Sequence, residues 1–230
     1  MMSQSTDAVP FRTKLRVEVS NQLQKHRSLL IWLVVAAIVV IAGLAIWTQV
    51  DASTKTTYAA QIEKSQADYT AWQTEADAAK KAELGKALDA ELASIEKSAP
   101  TGYGLSKAWF LHGSYWAAQK NWAEAAKAFR AVFSKDASSY LAPIALVNAA
   151  VSLEESGDAA GALAAYADFE KAFVTDPVLA PQVLFTEGRL LESQGKTADA
   201  VAAYKKLLAK FPESGWTKLG RDRILLVSQD

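Results

Sequence analysis

Apolar residues run unbroken from Leu29 to Trp47, nineteen positions without a charge (LLIWLVVAAIVVIAGLAIW). A helix of that length, rising about 1.5 Å per residue, reaches about 28 Å, close to the hydrocarbon thickness of a bilayer. Trp32 and Trp47 bracket the run, where amphipathic rings suit the two headgroup levels. Beyond it the pattern changes. Larger or apolar side chains fall at Tyr58, Ile62, Tyr69, Trp72, Ala76 and Ala79, and with Ser65 admitted to the seam this spacing predicts an amphipathic helix. Leu84, Leu88, Leu92 and Ile95 then shift phase around Gly85, which predicts a kink or a second helix. The segment ends at the breaker Ser98-Ala99-Pro100-Thr101-Gly102. No stretch alternates with period two between turn residues, so strands are not expected.

From about residue 106 the hydrophobic pattern repeats. QKNWAEAAKAF (119–129), SGDAAGALAAY (156–166) and QGKTADAVAAY (194–204) each give a turn, a small residue (Ala125, Ala162, Ala200) and an aromatic four residues on (Phe129, Tyr166, Tyr204). Twelve residues before each small residue stands another: Gly113, Ala150 or Gly188. The period is 37 and then 38 residues. Small residues at matching positions let paired helices cross closely, and the aromatic one turn later is expected to fill the groove toward the next hairpin. A lone hairpin cannot bury such a stripe, so the units should stack into a solenoid.

These units resemble tetratricopeptide repeats, whose pattern is W-x2-L-G-x2-Y, then A-x3-F, then P. The first repeat offers Trp109, His112, Gly113 and Trp116, then Ala125 and Phe129. The third offers Leu184, Glu187, Gly188 and Leu191, then Ala200, Tyr204 and Pro212. The second is weakest, with Leu146, Ala150, Leu153, Ala162 and Tyr166. The unit is longer than the family's 34 residues, and the extra length should fall in loops at Ser138–Pro143 and Thr175–Pro181. With the apolar run read as one transmembrane helix, the resemblance implies an all-α fold in which that helix is followed by an α-solenoid of three hairpins with capping helices. Residues 214–227, with Trp216, Leu219, Arg223, Ile224 and Val227 at helical spacing, would cap one end, and the Leu84–Ile95 helix the other. The expected domains are a basic tail (1–28), the transmembrane helix (29–47), a membrane-proximal helical segment (48–100) and the repeat domain with its cap (101–230).

Charge supplies the topology. Arg12, Lys14, Arg16, Lys25 and Arg27 precede the span against Asp7 and Glu18, so the tail carries +3 and the remainder −3. A Lys/Arg excess marks the cytoplasmic flank, which puts the N-terminus inside and residues from about 50 onward outside. A cleaved signal peptide is the competing reading, with Val50-Asp51-Ala52 as a cut site, but signal-peptide apolar cores usually run 7–15 residues. The chain has no Cys to carry a lipid, a disulfide or a thiolate metal site.

Reactive chemistry is not indicated. His26 and His112 are the two histidines, neither at a zinc-site spacing, and His112 reads as a packing residue. No nucleophile elbow, phosphate loop or dinucleotide fingerprint occurs. Glu154-Glu155 diverge on a helix and read as a solvated end. The mildly acidic exported part lacks a basic stripe for nucleic acid. Trp109, Trp116, Trp122 and Trp216 read as core, while Trp72 fits core or surface. No enzyme, cofactor or metal is therefore expected.

What remains is a docking surface. In this repeat class the first helices of successive hairpins line a groove, and counting from Ser106, Pro143 and Pro181 places Lys107, Phe110, Ser114, Val147, Asn148, Val151, Gln182, Phe185 and Arg189 there. Phe110 and Phe185 fit either groove or core. Of the Lys/Asn/Arg clamp with which one subclass grips a terminal carboxylate, Asn148 alone is present, so that ligand is not expected. The layout, with the ending Phe211, Pro212, Ser214, Trp216, Arg221, Asp222, Arg223 and Ile224, is similar to the periplasmic ancillary subunit group of the bacterial Sec translocon. That resemblance implies a bitopic inner-membrane protein, C-terminal domain periplasmic, adapting the translocon to chaperones. The alternative is a self-associating envelope or division protein assembling through Tyr58–Ala79.

Overall fold

In the computed structural model the described residues, 26–227, form nine helices and no strand. The basic tail up to Lys25 lies outside them. The chain divides into a unit ending at Ser53 and a compact unit from Thr54 onward, so residues 54–98 lie within the compact unit.

The first helix, α1 (Arg27–Thr74), contains the apolar run, and its large apolar side chains at Leu29 and from Ile31 to Val50 are exposed. It is long and apolar enough to cross a membrane. In the compact unit the stripe holds in part: Ile62, Ser65 and Trp72 are buried and Tyr58 and Tyr69 half-buried, but Ala76 and Ala79 are exposed. The helix stops earlier than the stripe suggested, at Thr74 rather than beyond Ala79. Asp77 explains this, because its carboxylate accepts the Lys80 N–H at 2.8 Å and starts α2 (Ala78–Ser98) as an N-cap. The phase shift is therefore a second helix, which runs uninterrupted past the buried Gly85.

Three hairpins follow. They are α3 (Tyr103–Ala118) with α4 (Trp122–Lys135), α5 (Ala142–Glu155) with α6 (Ala159–Phe173), and α7 (Leu179–Ser193) with α8 (Thr197–Lys210). The last helix, α9 (Gly215–Val227), packs on α8 and α7. The longer loops, 136–141 and 174–178, fall where the extra repeat length was expected. The first helices of successive hairpins touch, α3 with α5 and α5 with α7.

Ala125, Ala162 and Ala200 are fully buried at the hairpin crossings. The partner of the earlier small residue differs from expectation. A Cβ on Gly113 would lie 2.7 Å from the Phe129 ring, so glycine faces the aromatic of its own hairpin and makes room for it. The same aromatic also reaches Ala149 of the next repeat. α9 buries Thr217 and Gly220 instead of Trp216 and Leu219, and Leu219, Leu225 and Leu226 are exposed.

Each hairpin turns through one left-handed residue: Lys120 (φ 60), Gly157 (φ 84) and Gly195 (φ 71). They keep the repeat spacing of 37 and 38 residues. Lysine is the misfit, since a Cβ crowds the following carbonyl there. Lys120→Gly should raise stability by about 0.5–1 kcal/mol in chemical denaturation; no gain would mean the turn conformation is not strained.

Candidate docking groove

The side chains expected to line the groove reach different ends. Ser114, Asn148 and Val151 come together with Ala117, Trp122, Phe129 and Ser152 around a depression of about 270 Å3 between α3, α4 and α5. Within it Ser114 Oγ donates to the Phe110 carbonyl at 2.9 Å and Ser152 Oγ to the Asn148 carbonyl at 2.8 Å. The Asn148 amide bonds no protein group among the described residues. Phe110, half-buried, is not on this lining and instead meets Phe129, which is, edge-on at 5.5 Å. Val147 is buried, and Val151 is exposed at 43%.

The other expected residues are engaged elsewhere. Lys107 pairs with Glu63 of α1 at 3.2 Å and donates to the Tyr103 hydroxyl at 3.1 Å. The Tyr69 hydroxyl of α1 points at the Ser114 carbonyl, at 3.5 Å. The second half of α1 therefore lies on part of the α3 face. Phe185 packs on Tyr204 at 5.7 Å and on Trp216 of α9 at 5.2 Å. Arg189 pairs with Glu154. Gln182 stays half-buried, and its carbonyl accepts the Thr186 hydroxyl at 2.9 Å.

Trp122, which the sequence reads as core, lines the depression. It and Trp109, Trp116 and Trp216 are half-buried rather than core, whereas Trp72 is the buried one. A stripe shared by several aromatics does not say which of them the neighbouring helix will cover.

Two ionic clusters hold the helices that carry the groove. His112 on α3 stands between two carboxylates of α2, Nδ1 at 2.7 Å from Glu96 and Nε2 at 2.8 Å from Asp89. It is thus an inter-helix clamp, and partners sixteen and twenty-three residues away leave no local spacing to read. Burial opposes its charge, but the hydrogen bonds and charges of Glu96 and then Asp89 outweigh it, and the pKa is raised. The stability this supplies is complete below the unfolded value of about 6.5 and is lost as pH rises through the higher folded value. His112→Gln should flatten that loss above about pH 6.5 in thermal melts across pH; an unchanged profile would rule out the clamp.

Glu154 likewise is not a solvated end. Its Oε1 accepts the Tyr166 hydroxyl at 2.7 Å while Oε2 takes Arg189, tying α5, α6 and α7 together.

Glu187, half-buried where the family pattern has leucine, sits beside Glu170, which is itself paired with Lys206. Burial and then the Glu170 charge push its carboxyl up to about 7. Protonated, it supplies a donor for the otherwise unpartnered Glu170 Oε1. The folded state therefore holds a proton that the unfolded chain releases from pH 4.5 upward, so stability falls as pH rises from 4.5 toward 7. Glu187→Leu should stabilise by about 1–2 kcal/mol at pH 8 and by less at pH 5. An equal effect at both pH values would remove the titration argument.

Among the described residues no cluster of three or more His, Asp or Glu is placed to hold a metal. Residues 23–224 match the family described as tetratricopeptide repeat-like domain. A TPR repeat-containing protein of Treponema pallidum (strain Nichols) is 33% identical over 144 residues, covering 61% of this chain and 59% of that protein. The chain thus matches less than two thirds of that relative's length. With three hairpins in register and a match over most of its length, the chain belongs to the tetratricopeptide repeat-like family, whose members are generally non-catalytic scaffolds for protein–protein interaction.

Proposed function

We propose that this protein is a membrane-anchored adaptor that docks a protein partner along α3 and α5. The supporting observation is the depression at Ser114, Asn148 and Val151, with an amide offered to a ligand between aromatic walls. A mostly apolar hollow with one convergent polar group suits a peptide segment or partner helix. The Leu29–Trp47 run would act as an uncleaved anchor, N-terminus cytoplasmic and repeats extracytoplasmic, raising the effective concentration of the groove at the membrane. Protein export or folding at the bacterial Sec translocon is the specific role we favour, on the likeness of layout. Self-assembly through Tyr58–Ala79 has less support, because Ile62 and Trp72 of that stripe are already buried against α2 and α3, and Ser65 is buried as well.

Photo-crosslinking in cells from probes at Asn148 and Val151, with Phe185 for comparison, tests the proposal. Adducts with translocon subunits or export chaperones are expected at the first two and fewer at Phe185. Self-adducts alone would replace the adaptor reading with assembly.

A further inference from the structure

A second hollow, of about 710 Å3, lies where the end of α1, the start of α2 and the end of α3 meet. Its floor is Trp72 and Tyr115, both buried, with ring centres 4.9 Å apart. Gly85 permits this floor. A Cβ there would lie 2.9 Å from the Tyr115 hydroxyl and 3.1 Å from the Trp72 indole nitrogen. Methyl groups of Ala78, Ala82 and Ala118 form the walls.

The polar lining has one sign. Lys81 and Lys86 stand on it with the amides of Gln73 and Gln119, and no carboxylate does. Lys81 is fixed, 5.3 Å above the Trp72 ring and donating to the Gln73 carbonyl at 3.1 Å. Lys86 is exposed and makes no ion pair among the described residues. Nor does the Trp72 N–H reach a protein acceptor among them. The hollow beside α8 is different, lined by Glu187 and Asp199 with Lys206. An occupant of the basic hollow must therefore be apolar enough to cover two rings and three methyl groups. It must also carry anionic oxygen to meet Lys86, Lys81 and the indole N–H. Its volume falls in the range of about 300–1,000 Å3 usual for ligand sites.

We propose that this hollow is a second binding site, distinct from the groove, that takes an apolar side chain flanked by carboxylates on an acidic segment of a protein partner. Charge complementarity selects the segment, and the aromatic floor holds its apolar residue. Attraction to the exposed lysine should weaken as salt rises.

The test uses the full chain in detergent micelles and fluorescence anisotropy of short labelled peptides. One peptide carries a tryptophan between glutamates, one has lysines in place of the glutamates, and one has alanine in place of the tryptophan. The first should bind saturably, the second not at all, and the third more weakly. Lys86→Glu should weaken the first by at least about tenfold, with an unchanged circular dichroism spectrum, since that side chain holds nothing else. Equal binding to wild type and Lys86→Glu, or no saturable binding, would overturn the proposal. Loss on Asn148→Ala but not on Lys86→Glu would put the peptide in the groove and also overturn it.

Discussion

Replacing Phe169 with alanine should destabilise the repeats by about 3–5 kcal/mol, the usual cost of emptying a buried aromatic site. Phe169 of α6 is fully buried in the cluster that contains Leu146 and Val147 of α5 and Ala180 and Val183 of α7. Its ring lies 5.6 Å from Phe173. It therefore fills its own hairpin and also joins that hairpin to the next. In a stacked array each unit is stabilised mainly by its neighbours, so weakening one seam should also loosen cooperativity. Urea unfolding followed by circular dichroism should show a lower midpoint and a broader transition. A loss below about 1 kcal/mol would mean the α6–α7 seam contributes little.

Gly188→Ala should cost about 2–3 kcal/mol, although alanine in an exposed helix is favoured over glycine by about 1 kcal/mol. The added methyl carbon would lie 2.7 Å from Cζ and 2.8 Å from Cδ1 of Tyr204, a fully buried ring. A rigid ring cannot swing away as the end of a flexible side chain can, so the α7–α8 crossing must open. A neutral or stabilising result in the same unfolding assay would show that the hairpin tolerates a wider spacing than its sequence keeps.

What the sequence revealed followed from local periodicity. The small residues at Ala125, Ala162 and Ala200, the aromatics four residues on, and the Ile62–Ser65–Trp72 seam are spaced by helix geometry, and the structure buries all of them. Partner choice was not legible in the same way. Gly113 was expected to face a small residue and faces Phe129, because helical spacing names a face but not what lies across from it. His112 with Glu96, and Glu154 with Arg189, are joined only by the fold. The candidate groove was legible where it depends on the repeat alone, as at Ser114, Asn148 and Val151. Lys107 and Phe185 are engaged by α1 and α9, which lie outside the repeat pattern.

The second half of α1 has a practical consequence for anyone who wants to move this scaffold. Tyr58 lies against the Gly104 backbone, with 3.1 Å between its Cβ and the place a Cβ on that glycine would take, and Ile62 and Trp72 are interior to the cluster under α3. A graft cut at residue 101, where the motif alone would put the boundary, would carry a raw oily scar on α3 and invite aggregation. A transplantable cassette should start near Thr54.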